Sequence, residues 1–143
     1  MHIRMNIAVS ACLLGENCKY NGGNNYAAQI AEKLSGEEIL PVCPEVLAGA
    51  GIPRKCVELR SGRAINADGL DVDDIYRAGA EAALAQLIAF GAECAVLKSR
   101  SPTCGVREIY DGTFSGRLIS GSGIFAAMVR DAGIRVIDSD EFE

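Results

Sequence analysis

Six cysteines offer most of the reactive chemistry in this sequence, and they are spread over much of its length. They are Cys12, Cys18, Cys43, Cys56, Cys94 and Cys104. None of their spacings is C-x2-C, so neither a zinc ribbon nor a thioredoxin-type motif is present. The only histidine is His2, which argues against a Cys/His zinc site and a histidine-activated nucleophile. In a reducing compartment, cysteines in loops are more often metal ligands or reactive thiols than disulfide partners.

The composition predicts a single cytoplasmic domain covering residues 1–143. The chain has 143 residues, 49% of them hydrophobic, which is enough to bury a core. Its formal net charge of −5 argues against a nucleic-acid polymer as partner, because such a partner requires a basic surface. No apolar run approaches the ~18 residues of a spanning helix, and Ile7-Ala8-Val9 is too short for a signal peptide. We therefore expect no membrane partner.

Strands and helices alternate along the predicted chain. Apolar stretches predict four strands, at Ile3–Ser10, Glu38–Val42, Cys94–Lys98 and Ile134–Ile137. Apolar residues at helical spacing predict three helices, at Tyr26–Leu34, Val72–Phe90 and Ile124–Asp131. The remaining predicted elements are a β-hairpin of Val57–Arg60 with Arg63–Asn66 and a long loop over Ser99–Gly123. This order is typical of a single α/β domain with a mainly parallel, Rossmann-like sheet flanked by helices, the hairpin being a small insertion.

Three of the cysteines follow predicted strands of this sheet. Cys12, Cys43 and Cys104 come after the first, second and third strand, respectively. The carboxyl ends of parallel strands share one edge of the sheet, where ligands bind. Three converging thiols can hold zinc with an open position, or an iron–sulfur cluster in which one iron lacks a protein ligand. The residues alone leave both metals open.

Polar residues beside these cysteines are candidates for catalysis and substrate binding. Glu45, two residues after Cys43, can serve as a general acid or base. Ser101 can orient a substrate or relay a proton. The predicted substrate-binding residues are Lys98, Arg100 and Ser10.

The other three cysteines have less specific interpretations. Cys94 lies inside a predicted strand, where a thiol packs as a small hydrophobic group. Cys56 opens the predicted hairpin and is also interpreted as structural. Cys18, in a loop rich in Gly and Asn, is a spare ligand, a redox-active thiol or an incidental residue.

Three polar segments lie in the second half of the chain. Tyr110–Gly116 contains the turn dipeptide Asp111-Gly112. Ser120–Gly123 precedes a predicted helix, so its amide groups can face an anion such as phosphate or carboxylate. The acidic tail from Asp138 to Glu143 is predicted to be solvated.

Four motifs in order resemble those of a small bacterial family, formerly a domain of unknown function, that includes the thiouracil desulfidases. The resemblance runs over about residues 7–137, and its motifs are Ser10–Gly15 with Cys18–Gly22, Pro41–Glu45, Lys98–Gly105 and Tyr110–Gly116. It implies an oxygen-sensitive 4Fe–4S cluster held by three cysteines only, with a fourth iron that takes the sulfur from a thiolated nucleobase. Carried over by position, the ligands are Cys12, Cys43 and Cys104. Glu45 matches an acid/base residue, and Ser101 matches a residue that assists at the substrate.

The function expected from this resemblance is a 4Fe–4S-dependent desulfidase that hydrolyses a C–S bond of a thiolated pyrimidine or a similar small thio-compound. Two alternatives belong to other classes. One is a metal- or cluster-bearing binding or sensing module without turnover. The other is a thiol redox protein with a reversible disulfide between Cys12 and Cys18.

Overall fold

The computed structural model describes residues 3–142. Its strands are β1 (Asn6–Ser10), β2 (Glu38–Val42), β3 (Val57–Arg60), β4 (Arg63–Asn66), β5 (Cys94–Leu97), β6 (Glu108–Tyr110), β7 (Leu118–Ser120) and β8 (Arg135–Asp138). Its α-helices are α1 (Ala28–Lys33), α2 (Pro44–Leu47), α3 (Asp73–Phe90) and α4 (Ile124–Asp131). Short 3-10 turns follow β1 and β8. No helix in residues 3–142 has the length and apolar character to cross a membrane.

Four parallel strands form the central sheet, in the order β2-β1-β5-β8. Side chains alternate between its two faces, as in any pleated strand. In β1, Ile7 and Val9 pack with Ile30 of α1 on one face. On the other face, Ala8 belongs to a core that includes Leu87 of α3 and residues of α4. The predicted α/β architecture with helices on both faces is therefore confirmed.

The β3–β4 and β6–β7 hairpins form two further, antiparallel sheets. The first was predicted with the bounds that the structure shows. The second lies inside the segment that was predicted as a loop, because strands of three residues are too short for an alternating pattern to be recognised. Its two strands pair through Ile109 and Ile119.

The prediction of a solvated acidic tail is wrong for its first residues. Asp138 ends β8 and is buried, and Ser139 is buried as well. Asp140 forms an ion pair with Arg100 at 3.0 Å. The last residue of that predicted tail, Glu143, lies outside the described residues.

Helix α2 is positioned by an unusually close approach to α3. Pro44 occupies its first turn, where the missing amide hydrogen costs no helical hydrogen bond. A Cβ atom added to Gly79 of α3 would lie 2.3 Å from the Pro44 carbonyl oxygen and 2.6 Å from the Ala48 Cβ. Only glycine allows this contact, and the contact fixes the position of Cys43 and Glu45 at the start of α2.

Candidate functional site

The candidate site lies beyond the carboxyl ends of three strands. β1 has β2 on one side and β5 on the other, so the sheet has its topological switch point here, where ligands of such sheets bind. Cys12 lies on the 3-10 turn after β1, and Cys43 directly follows β2. Cys104 lies in the loop between β5 and β6. The structure brings all three to one cavity of about 600 Å³.

The three thiols are close enough to influence one another electrostatically. Burial raises the pKa of Cys12 and outweighs a hydrogen bond with Asn25, and the nearby Cys43 sulfur raises it further. Burial also raises the pKa of Cys104 strongly, with additional contributions from Cys12 and Cys43. Three thiolates at this edge would repel one another, so a cation or a metal centre is the natural partner of this group.

The loop that carries the third cysteine is fixed to the start of α4. The Ile124 amide donates to the Pro102 carbonyl at 3.0 Å, and the Ala126 amide donates to the Thr103 carbonyl at 3.0 Å. These two amides of the first helical turn are satisfied by loop carbonyls. The Gly121 and Gly123 amides donate to the Arg107 and Gly105 carbonyls. The anion site predicted from Ser120–Gly123 is therefore wrong, because these amides are engaged by the protein itself.

Ser101 organises the same loop and begins a chain of hydrogen bonds. Its Oγ accepts the amides of Thr103 at 3.1 Å and Cys104 at 3.0 Å, and lies 3.1 Å from Thr103 Oγ1. Thr103 Oγ1 donates to Glu45 Oε2 at 3.0 Å. A hydroxyl has one proton to donate, so Ser101 is the donor toward Thr103. The resulting chain runs from Ser101 through Thr103 to Glu45.

The other oxygen of Glu45 is held by a buried arginine. Arg54 Nε donates to Glu45 Oε1 at 3.1 Å, and the side chains of this pair are only 6% and 13% exposed. Arg54 also donates to the Cys18 carbonyl at 2.8 Å. Burial raises the pKa of Tyr76 above its usual range, and its protonated hydroxyl contacts both members of the ion pair. Both carboxylate oxygens of Glu45 are thus fixed in direction.

Sequence reasoning missed three of these residues: Thr103, Arg54 and Tyr76. Thr103 stands in the Ser-Pro-Thr-Cys motif, so its position next to Cys104 was a usable signal. Arg54 and Tyr76 lie in no motif that was considered, and only the folded chain places them beside Glu45.

The two predicted cationic residues both line the cavity. Lys98 Nζ donates to the carbonyl and hydroxyl oxygens of Ser99 at 3.0 and 3.1 Å. Burial lowers the pKa of Lys98, while Cys12 favours its charged form. Arg100 is exposed and has a left-handed backbone conformation, with φ of 63°. Its guanidinium is paired with Asp140.

Ser10 also lines the cavity, but its hydroxyl is already engaged by protein groups. The Lys98 amide donates to its Oγ at 2.9 Å. Its hydrogen bond with Cys104 opposes the increase in the pKa of that thiol caused by burial. In this structure Ser10 therefore supports a cysteine, whereas binding of substrate by Ser10 stays a prediction.

The remaining cysteines occupy three different environments. Cys94 is buried in the core between the sheet and α1, which confirms its interpretation as a packing residue. Cys56 is exposed and lines the cavity, so the interpretation of this residue as structural is wrong. Cys18 is buried, and burial together with the nearby sulfurs of Cys43 and Cys12 raises its pKa to about 12. All six cysteines are free thiols.

The donor set is compatible with a 4Fe–4S cluster. Within residues 3–142, no three Cys, His, Asp or Glu side chains are arranged to hold one metal ion. A 4Fe–4S cluster is larger, and its ligand sulfurs bind different iron atoms, so they need not meet at one point. Soft thiolates that line a cavity of this size match that requirement.

Comparisons with known proteins agree with this geometry. The family model described as 2-thiouracil desulfurase matches residues 7–141. The chain is 38% identical over 145 residues to a Bacillus subtilis (strain 168) protein called uncharacterized protein YbbK, covering 94% of this chain and 96% of that protein. It superposes with a TM-score of 0.86 on the [4Fe-4S]-dependent thiouracil desulfidase TudS, at 37% identity, covering 96% of this chain and 92% of that one. The chain thus belongs to the 2-thiouracil desulfurase family.

Proposed function

We propose that this protein is a 4Fe–4S-dependent desulfidase that hydrolyses the C–S bond of a thiolated pyrimidine or a similar small thio-compound. The observation that carries the proposal is the shared cavity. Cys12, Cys43 and Cys104 line it together with Glu45 and Ser101. The likeness to a solved thiouracil desulfidase supports the substrate class.

In this proposal Cys12, Cys43 and Cys104 hold the cluster. When bound through three cysteines, the cluster supplies an iron without a protein ligand, which acts as a Lewis acid toward the substrate sulfur. The cavity of about 600 Å³ has room for a small heterocycle beside such a group.

The reaction exchanges sulfur for oxygen without a net change of oxidation state. A thiocarbonyl compound and water give the carbonyl compound and hydrogen sulfide. Glu45 takes a proton from the attacking water and later returns a proton to the departing sulfur. Arg54 and Thr103 hold the two carboxylate oxygens in place. Ser101 lines the cavity and begins the same hydrogen-bond chain, and its proposed role is to assist proton movement toward Glu45.

Lys98, Arg100 and Ser10 are proposed to act at the substrate or at the charge around it. Lys98 lies near Cys12 and offsets the negative charge of thiolate ligands. Arg100 lies at the cavity with its guanidinium held by Asp140. Because the hydroxyl of Ser10 is engaged by Cys104, any effect of Ser10 on the substrate would be indirect in this conformation.

The first test is reconstitution of the protein with iron and sulfide in the absence of oxygen. We expect broad absorption near ~400 nm and about four irons per chain. Cys12→Ser, Cys43→Ser and Cys104→Ser should each abolish iron loading, whereas the core substitution Cys94→Ser should retain it. Equal iron in all four variants would exclude these ligands, and a colourless wild type with about one zinc would exclude the cluster.

Turnover is tested on the loaded protein with 2-thiouracil, by measuring hydrogen sulfide and uracil. We expect Glu45→Gln to keep its iron and to lose turnover, because the amide cannot accept the proton from water. Unchanged turnover in Glu45→Gln would remove Glu45 from the mechanism. A loaded wild type that binds 2-thiouracil without converting it would instead indicate a binding or sensing module.

A further inference from the structure

The cavity has a second group of lining residues that the cysteine chemistry does not use. They are aromatic: Tyr20, Tyr110 and Phe114. The nearby Cys56 thiol raises the pKa of Tyr20, and Tyr110 contributes in the same direction, so Tyr20 and Tyr110 lie in one part of the cavity. An aromatic surface in a cavity that also carries thiols and charged groups is suited to the face of a planar ring.

Phe114 adopts a backbone conformation that bulky residues rarely take. Its φ is 56°, in the left-handed region that favours glycine. Non-glycine residues in such conformations are concentrated at active sites and ligand clamps, because surrounding structure must hold them there. Phe114 lines the cavity, so the residue in this unusual conformation is an aromatic one at the site.

Glu58 and Arg60, both from the β3–β4 hairpin, hold this conformation. Glu58 Oε1 accepts the amides of Gly112 and Phe114, each at 3.0 Å. Arg60 donates to the Gly112 carbonyl through Nε at 3.1 Å and through Nη2 at 2.8 Å. A Cβ on Gly112 would lie 2.8 Å from the Leu59 carbonyl oxygen, so the loop is also pressed closely against β3. The β3–β4 hairpin therefore fixes the conformation of the loop that joins β6 to β7.

We propose that Phe114 stacks on the heterocyclic ring of the substrate, and that Glu58 is a positioning residue that sets Phe114 for this contact. The proposal deepens the proposed function and rests on it for the substrate class. It assigns a role to the motif Tyr110–Gly116, which the cysteine and carboxylate chemistry leaves unexplained. It also predicts selectivity for flat aromatic thio-compounds over open-chain ones such as thiourea.

The test measures binding and turnover separately on anaerobically loaded protein. Removing a stacking side chain weakens binding of a base by roughly tenfold or more. We expect Phe114→Ala to raise both the dissociation constant and the KM for 2-thiouracil by that factor, with iron content and kcat nearly unchanged. Phe114→Tyr should restore binding. Tyr26→Ala, which removes an exposed aromatic side chain outside this cavity, should bind as wild type does.

The role of Glu58 is tested by Glu58→Gln and Glu58→Ala. Both should retain iron, and Glu58→Ala should raise KM for 2-thiouracil as Phe114→Ala does. Glu58→Gln keeps an oxygen that can accept the two amides and should lie close to wild type. Combining Glu58→Ala with Phe114→Ala should weaken binding no further than Phe114→Ala alone, since Glu58 acts through Phe114.

The outcomes separate this inference from the proposed function. If wild type converts 2-thiouracil and Phe114→Ala has the same KM, the stacking role is excluded while the desulfidase function stands. If wild type binds 2-thiouracil without converting it and Phe114→Ala weakens binding, the stacking role stands while the desulfidase function fails. Absence of binding to wild type, or equal loss of affinity for thiourea and 2-thiouracil, would overturn the inference.

Discussion

Thr103 connects Ser101 and Glu45, which belong to two different sequence motifs. It is almost fully buried, and its hydroxyl lies between Ser101 and Glu45. Sequence alone identified Glu45 and Ser101 as candidates from their places beside cysteines. It could not show that they belong to one hydrogen-bond chain, because Thr103 and Glu45 are 58 residues apart. Contacts of that kind depend on the packed structure rather than on local sequence.

The hydrogen-bond chain from Ser101 through Thr103 to Glu45 predicts how turnover changes when the Thr103 hydroxyl is removed. Thr103→Val has nearly the same shape but leaves Glu45 Oε2 and the Ser101 hydroxyl without their partner. Because hydrogen bonds to charged groups contribute about 1.5–3 kcal/mol, we expect kcat to fall by about tenfold to a hundredfold. Thr103→Ser should restore most of kcat, and both variants should load as much iron as wild type. Full turnover by Thr103→Val would mean that Ser101 and Glu45 work independently.

At the scale of elements, the short helix α2 explains why Cys43 and Glu45 share one site. Its position depends on Gly79, since any side chain there meets the Pro44 carbonyl. The strands with continuous apolar residues, the β3–β4 hairpin and α4 were all predictable from the sequence. α2 has four residues, which is too few for helical periodicity to be detected. The β6–β7 hairpin was missed for the same reason of length.

The close contact between α2 and α3 predicts a specific effect of Gly79→Ala. In an ordinary helix this change is stabilising, because alanine has the higher helix propensity. Here the new methyl group would overlap Pro44 and Ala48, so we expect a loss of about 1–3 kcal/mol in the free energy of unfolding. Displacement of α2 should also reduce the iron retained. Ala78→Leu, on the exposed part of α3, should change neither quantity. Higher stability in Gly79→Ala would show that the contact relaxes freely.

At the scale of the whole molecule, the three cysteines come from segments that are distant in the sequence. Cys12, Cys43 and Cys104 follow three neighbouring strands, and each lies beyond the end of its strand rather than in the sheet itself. A group bound by all three would tie these loops together. Binding to the folded state but not to the unfolded chain stabilises the fold by mass action.

We therefore expect the loaded protein to unfold at a higher temperature than the apoprotein, measured without oxygen. Hydrogen exchange should slow on loading in residues 11–25 and 99–105, and change little in α3, which packs in the core and carries none of the three cysteines. Cys104→Ser should show no difference between the two preparations. Equal melting temperatures for loaded and apo wild type would indicate that the metal centre is peripheral to the fold.

The two hairpins form sheets separate from the parallel sheet, and this separation affects how the substrate range can change. The cysteines and the Glu45 carboxylate are carried by the parallel sheet and its loops, whereas Glu58, Arg60 and Phe114 belong to hairpins that form sheets of their own. Under the proposed roles, the cysteine ligands and the aromatic contact to the substrate ring therefore lie in different stretches of chain. We expect replacement of residues 110–116 together with the contacting residues of β3 to change the contact with the ring and to leave the cysteine ligands in place.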